Sequence, residues 1–162
     1  MKKILYLNLL IVSTIVFSSC NSDVLFDKSQ NIEKNVWNKD DIKSFKVKVK
    51  DIDRVDTYKF AINLCNTTDY KYNNIFFFLT TIYPDGSITT RDTIECELTN
   101  IDGTWKGKGN ADTKDNRFWF AKNVKLNQKG EYIFRLEQAT RDTNLIGVES
   151  VGIHIEKMPL NN

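Results

Sequence analysis

Few side chains in this sequence could take part in acid–base or nucleophilic catalysis. His154 is the single histidine, and it occupies a polar position in a predicted last strand whose alternate residues are apolar, which places it on the solvent face. Cys96 could serve as a nucleophile with His154 as its base. Alternation puts Cys96 on the inner face of its own strand and His154 on the outer face of another, so the pattern disfavours this pair.

Acidic side chains provide no clearer catalytic or metal-binding pattern. Asp92 with Glu95 and Glu97 could suggest the carboxylate pair of a glycosidase, but alternation places Glu95 and Glu97 on one outer face, where carboxylates commonly provide solubility. A polar loop with Asp112, Asp115 and Asn116 has oxygen ligands that suit Ca²⁺, and a solvated loop is the commoner explanation. The sequence has no Cys-x-x-Cys, His-x-x-x-His, EF-hand or glycine-rich phosphate motif. We therefore expect a non-enzymatic protein without a metal or other cofactor.

The N-terminus has the organisation of a secretory signal. Lys2 and Lys3 precede an apolar run over residues 4–17, which is shorter than the roughly 20 residues of a membrane-spanning helix. The run ends at Ser18-Ser19-Cys20, which resembles the lipobox of bacterial lipoproteins. This resemblance implies removal of residues 1–19 and attachment of fatty acids such as palmitate to Cys20, the first residue of the mature chain. A plain secreted protein with an ordinary cleavage site is the alternative.

The charge balance excludes a strongly basic or strongly acidic binding protein. The chain has 23 Lys+Arg and 21 Asp+Glu, and removal of Lys2 and Lys3 leaves 21 of each. This neutrality gives no general reason to expect a nucleic-acid partner. Attachment to a membrane would therefore depend on the lipid of Cys20, and several acyl chains suffice for stable anchoring.

Apolar and polar residues alternate with a period of two in much of the chain, which is typical of β-strands with one buried face. Residues 45–50, 58–64 and 151–155 show this alternation, whereas the stretch 75–83 is apolar on both faces at its start. No stretch has a sustained helical period. The pattern predicts an all-β fold, an antiparallel sandwich of about eight or nine strands that is jelly-roll-like.

Three segments are expected in the mature chain. A lipid-anchored tether over residues 20–35 has room for one edge strand, a single β-sandwich domain covers residues 36–158, and a short tail covers residues 159–162. Within the domain, Pro84-Asp85-Gly86 predicts a hairpin turn, and the long return strand predicts a bulge near Arg91-Asp92. Cys65 and Cys96 have opposite parity in their strands, which argues against a disulfide between them.

Aromatic residues in or near loops are the remaining candidates for binding. On a sandwich, such side chains can stack on sugars or anchor a protein partner, although capping the ends of the core is their commoner role. The candidates for partner or ligand contacts are Trp37, Tyr70, Tyr72, Trp105 and Trp119.

Seven short motifs follow one another through the mature chain. They are NTTDYKYNNIFFF (66–78), YPDG (83–86), DTIE (92–95), GTWKGKG (103–109), GEYIF (130–134), EQATR (137–141) and GIHIEK (152–157). Each motif alone is weak, but their order and spacing together are specific. Together they resemble the GldH-type gliding-motility lipoproteins of Bacteroidetes over nearly the whole mature chain.

The resemblance implies a lipoprotein of the cell envelope that acts in gliding motility and in the associated type IX secretion machinery, without catalytic residues. We expect it to bind other envelope proteins of that machinery. A carbohydrate- or peptidoglycan-binding jelly roll that uses Trp37, Trp105 or Trp119 is the alternative function. The segment Asn21-Ser22-Asp23 lacks the dense acidic run that resembles a surface-export signal, which favours the periplasmic face of the outer membrane.

Overall fold

The computed structural model describes residues 23–53 and 55–159, and nearly all of their regular structure is β-strand. The signal segment and Cys20 lie outside the described residues, as do residues 160–162. A 3-10 turn at Glu33–Asn35 is the one short helical element of the described chain, so none of its helices is long and apolar enough to cross a bilayer. The strands are β1 Val24–Asn31, β2 Val36–Asn38, β3 Lys43–Val49, β4 Tyr58–Thr67, β5 Asn74–Ile82, β6 Asp92–Glu97, β7 Lys108–Gly109, β8 Thr113–Val124, β9 Gly130–Gln138, β10 Asn144–Ile146 and β11 Val148–Lys157.

Eight of these strands form two four-stranded antiparallel layers. One layer has the order β1-β11-β4-β8, extended at its edge by β7, and the other has the order β3-β9-β5-β6. Counted along the eight strands, the first pairs with the eighth, the second with the seventh, the third with the sixth and the fourth with the fifth. This nested pairing is the strand order of a jelly roll. The predicted all-β antiparallel sandwich is therefore confirmed.

The strand count differs from the predicted eight or nine, because the described chain has eleven strands. The additional strands are β2 and β10, which pair with each other, and β7. Each is only two or three residues long, so none of them can show a period-two pattern in the sequence. Short strands of this kind follow from the pairing geometry of their neighbours rather than from local composition.

The core lies between the two layers and is built from the apolar positions of the alternating strands. Full burial of each large aliphatic or aromatic side chain contributes roughly 1.5–3 kcal/mol. The core-facing side chains include Phe45, Val47 and Val49 of β3, Phe60, Ile62 and Leu64 of β4, Ile75, Phe77 and Leu79 of β5, Tyr132, Phe134 and Leu136 of β9, and Val151, Ile153 and Ile155 of β11.

Strand β1 lies within residues 20–35, the segment expected to be a tether with room for one edge strand. Strand β1 pairs along its length with β11, and the side chain of Ile32, just after β1, is buried in the core. The polar composition of this segment concealed its role, because an edge strand with a wet outer face needs few apolar residues.

The predicted hairpin is confirmed. The N–H of Gly86 donates to the carbonyl of Tyr83 (2.9 Å), and Gly86 has the positive φ of 84° that this turn position favours. Leu79 pairs with Asp92 and Ile82 bridges to Ile88, so the return strand has one residue more than β5 over the same stretch. This extra residue is the bulge expected near Arg91-Asp92.

The two ends of the sandwich are different. The N–H of Lys157 donates to the carbonyl of Asp23 (2.7 Å), which fixes the start of β1 beside the end of β11. We call this the anchor end; it also holds the loops at 50–53, 55–57, 83–87 and 125–129. We call the opposite end the distal end; it holds the β2–β10 pair and the loops at 68–73, 98–107 and 139–143. In the sequence, Cys20 precedes Asp23 by three residues.

Two glycines with positive φ provide a matched test of the distal-end packing. A Cβ on Gly147 (φ +90°) would lie 2.7 Å from the Cα of Tyr70, whereas a Cβ on Gly103 (φ +83°) would meet nothing within 4 Å. We expect Gly103→Ala to cost about 1–2 kcal/mol of unfolding free energy through backbone strain alone, and Gly147→Ala to cost clearly more. Denaturant titration of both variants measures the difference, and equal costs would contradict the close packing of Gly147 on Tyr70.

Candidate functional site

The outer face of the β1-β11-β4-β8 layer has a row of side chains that could do chemistry. In the strand register, Asp27 of β1 lies opposite His154, His154 lies opposite Ala61, and Ala61 lies opposite Trp119. Because Ala61 is small, the Trp119 ring leans across it and meets the His154 ring edge to face, with 5.4 Å between centroids. We call the set Asp27, Lys59, Arg117, Trp119, His154 and Glu156 the charged network.

The side chain of His154 is only 1% exposed, so the prediction of a surface position is wrong. Its Nε2 lies 2.7 Å from a carboxylate oxygen of Glu156. Its Nδ1 lies 3.0 Å from a carboxylate oxygen of Asp27, close enough for an ion pair but without the direction of a good hydrogen bond. Alternation assigned the correct face to His154, but the neighbouring side chains cover that face.

Both carboxylates of the network are held in the charged form by cationic neighbours. Burial acts to raise the pKa of Asp27, but the contact with His154 and the charge of Arg117 (3.0 Å) outweigh it, so the pKa lies below its usual 3.8. The ammonium of Lys59 lowers the pKa of Glu156 below its usual 4.5, against a smaller opposing effect of burial. The network is therefore a set of mutually paired charges.

The two cysteines lack the environment of reactive thiols. Cys96 is buried in the other layer, where burial raises the pKa of its thiol to about 12. Cys65 lies on the outer face, and burial together with the nearby carboxylates of Asp115 and Glu149 raises its thiol pKa to about 12 as well. Both are free cysteines, which confirms the expectation from parity, and Cys96 and His154 belong to different sheets. No nucleophile–base pair is formed between them.

An open groove of about 770 Å³ lies beside the charged network on the same outer face. Its floor follows the register row in which Ser29, Gly152, Asn63 and Arg117 lie side by side. Hydroxyl, amide and guanidinium groups line this floor, so the groove suits a polar ligand. Lys106 and Lys108 add two positive charges to its wall, and Asp115 adds one negative charge.

Two of the five predicted aromatic contacts are core residues. Trp37 is fully buried, its ring lies 6.0 Å from that of Phe77, and its Nε1 donates to the carbonyl of Asp41 (2.8 Å). Tyr70 is also buried, and its hydroxyl donates to the carbonyl of Asn74 (2.9 Å). The burial of Trp37 and Tyr70 indicates that they cap the distal end of the core and do not contact a partner.

The other three aromatic candidates are accessible, but each has part of its ring covered. The Lys59 ammonium lies 4.2 Å from the Trp119 ring centroid, and the Lys71 ammonium lies 4.9 Å from that of Tyr72. Trp105 is half-buried and packs against the core from the distal hairpin. A sugar would therefore have to displace a lysine to stack on Trp119 or Tyr72 from that side.

Polar groups of the loop considered for Ca²⁺ form hydrogen bonds within the protein. Asn110 Oδ1 accepts from the N–H groups of Asp112 and Thr113, and the Asn116 amide donates to Asn66 Oδ1 (2.9 Å). Within residues 23–53 and 55–159 there is no group of three or more His, Cys, Asp or Glu side chains that could hold a metal ion.

Sequence reasoning missed most members of the charged network. Lys59, Arg117 and Glu156 each stand at an outward position of a strand, which alternation can identify. Their neighbours come from strands far apart in the chain, as in the pairing of Asp27 with Arg117. Only the strand order brings these side chains together, so no short stretch of the sequence could predict the charged network.

Comparison with known proteins identifies relatives of similar length. Residues 24–155 match the family model of the GldH lipoprotein. The chain is 33% identical over 154 residues to a gliding motility lipoprotein GldH homolog of Christiangramia forsetii, with 91% of this chain and 92% of the relative covered. It is 30% identical over 156 residues to the gliding motility lipoprotein GldH of Flavobacterium johnsoniae, with 92% and 94% covered.

One solved structure, dimeric latent PorU of Porphyromonas gingivalis, matches at 8% identity and a TM-score of 0.35. The match covers 83% of this chain and 13% of that chain. A likeness at this level supports no conclusion about fold or function.

The charged network predicts a specific loss of stability in acid. The pKa values of Asp27 and Glu156 are lower in the folded state, so their stabilisation is present above about pH 4.5 and is lost as the pH falls through the folded values. We expect Asp27→Asn to lower the free energy of unfolding by about 1 kcal/mol at neutral pH. The variant should also lose less unfolding free energy than the unchanged protein as the pH falls. Urea unfolding from about pH 7 to about pH 3 measures this. If the unfolding free energies of the unchanged protein and of Asp27→Asn fall in parallel with pH, the charged network is contradicted.

Proposed function

Since the chain belongs to the GldH lipoprotein family, we propose that it acts in gliding motility and in the associated type IX secretion machinery as a non-enzymatic component that binds other envelope proteins. The names of its relatives support the motility role, and the family resemblance of the motifs supports the link to secretion. The covered His154 and the two thiols with a pKa of about 12 support the absence of catalysis.

The anchor end supports attachment close to a membrane. Three residues of extended chain reach at most about 11 Å, so a lipid on Cys20 holds Asp23 and the start of β1 near the bilayer surface. Several acyl chains would make this attachment stable. We place the domain on the periplasmic face of the outer membrane because the segment after Cys20 has no dense acidic run.

The observation that carries the protein-binding role is the position of the exposed apolar side chains. Of the eight large apolar residues that are exposed in the described chain, five lie at the distal end, away from the lipid. Exposed apolar side chains that gather in one region are typical of interaction surfaces. The five are Val36, Ile42, Tyr72, Ile101 and Ile146.

The outer-face groove favours a second candidate function, the binding of a carbohydrate or peptidoglycan. Its amide, hydroxyl and guanidinium groups at Asn63, Ser29 and Arg117 could bond to sugar hydroxyls. The lysine over the Trp119 ring weakens this alternative, because sugar-binding grooves gain much of their affinity from open aromatic faces. Titration with peptidoglycan fragments while tryptophan fluorescence is recorded separates the two functions, and a flat response would remove the glycan-binding candidate.

Loss of the lipid should abolish function without loss of the fold. We expect Cys20→Ala, expressed behind an ordinary cleavable signal so that export continues, to accumulate as a soluble folded protein and to fail to restore colony spreading in a gliding host that lacks its own GldH. The matched control is Cys65→Ala, which leaves the anchor intact. Full restoration of spreading by the soluble protein would contradict the tethered role.

A further inference from the structure

Strand β5 has aromatic side chains on both faces, although only one face packs in the core. Ile75 and Phe77 point inward and are buried, whereas Phe76 and Phe78 alternate with them and are half-buried on the outer face of the β3-β9-β5-β6 layer. In the described chain no further layer of strands covers that face. The apolar character of β5 on both faces therefore exceeds what the core requires.

The two outward phenylalanines are covered to different extents. The guanidinium of Arg91 lies 4.0 Å from the Phe78 ring centroid and also pairs with Glu137, so this ring has an internal cover. Phe76 instead forms part of an open pocket of about 310 Å³, together with Tyr72 and Arg141. The ring of Phe76 is available to a ligand that enters this pocket.

A second and larger depression, of about 1060 Å³, lies on the other side of Tyr72 and Asn74. Its far wall is the hairpin that has Ile101 at its tip, and the Ile101 side chain is fully exposed. Nothing in the hairpin requires an isoleucine there, because the turn depends on the bond from the N–H of Gly103 to the carbonyl of Asn100 (3.0 Å). We call the surface formed by Tyr72, Asn74, Phe76, Glu95, Glu97 and Ile101 the distal groove.

The larger part of the distal groove is acidic. Glu95, Glu97 and Asp102 line it against the single ammonium of Lys106. Lys106 lowers the pKa of Glu97, and the hydroxyl and N–H of Thr104 lower that of Asp102, so both stay charged at neutral pH. Asn74 donates to Glu95 (2.7 Å) and fixes its carboxylate at the edge of the groove. A ligand here would gain from positive charge as well as from apolar contact.

We propose that the distal groove binds an extended segment of a partner protein in which basic side chains alternate with aliphatic ones. Aliphatic groups would pack on Phe76 and Ile101, and basic groups would pair with Glu95 and Glu97. The proposal rests on the protein-binding function proposed above and names its surface and the chemistry of its partner. The groove lies at the distal end, so the lipid anchor leaves it free.

Two exposed isoleucines provide a matched pair of variants. Ile101 lies at the distal groove, and Ile88 is 60% exposed in the return strand beside the anchor end. Both side chains are exposed, so replacement by serine should leave the fold intact in each case. The probe is a nine-residue peptide of alternating Lys and Val, with alternating Glu and Val as the charge control, titrated onto the full lipidated chain in lipid nanodiscs, with empty nanodiscs as the blank.

We expect the Lys–Val peptide to bind and the Glu–Val peptide not to bind. Ile101→Ser and Glu95→Gln should each weaken binding by about tenfold, and a rise in salt from about 50 to about 300 mM should weaken it further. Ile88→Ser should have no effect. Equal binding by the Ile101→Ser and Ile88→Ser variants would overturn the proposal, as would specific binding of peptidoglycan fragments at Ile101 or a dimer of this chain formed through Ile101.

Photo-crosslinking in cells separates failure of this proposal from failure of the protein-binding function. A photoreactive residue is placed at position 101, at position 88 or at Arg117 on the other layer, in a host whose spreading depends on the protein. The distal groove is supported if one partner protein is crosslinked from position 101 and from neither of the other positions. This adduct should be lost when Glu95→Gln is added. Protein adducts at Arg117 without any at position 101 overturn the groove and keep the protein-binding function, and no protein adduct at any position contradicts both.

Discussion

The structure depends on the position of strand β11 between β1 and β4. Its inner face provides Val151, Ile153 and Ile155 to the core, and its two edges fix the first and third long strands of the jelly roll. Because β1 pairs with the last strand, Asp23 at the start of β1 is hydrogen-bonded to Lys157 at the end of β11. The start of β1 therefore has a defined place relative to every other surface of the domain.

Strand β11 also explains how the titratable residues of the charged network stabilise the fold. Its outer face carries His154 and Glu156 into a row with Asp27 and Lys59, contributed by the two neighbouring strands. Each charge in this row has an opposite charge beside it, and the pairing holds three strands in register across a face that water reaches. Buried polar groups are tolerated in this way only when they are paired. His154 is held in this way between the carboxylates of Glu156 (2.7 Å) and Asp27 (3.0 Å).

Much of the fold could be predicted from the sequence, because period-two alternation reports which side chains share a face. It gave the fold class and the opposite parity of Cys65 and Cys96. The Pro84-Asp85-Gly86 turn signal predicted the hairpin, and the length of the return strand predicted its bulge. Alternation does not report what covers a face, which is why His154 was assigned to the surface, and it is silent for the β2 strand that buries Trp37. The charged network and the start of the domain at β1 depend on pairing between distant strands, which one sequence does not reveal.

The apolar character of β5 on both faces predicted a strand covered on both sides, and the structure provides only half of that cover. Strand β5 is interior within its sheet, and Phe76, one of its two outward aromatic residues, lines a pocket at the distal end. A strand rises about 3.3 Å per residue, so the nine residues of β5 place the distal end about 30 Å from the anchor end. With a lipid on Cys20, as proposed, a partner that reaches the groove would extend about that far from the bilayer, which favours a second envelope protein over a lipid as the cover of this face.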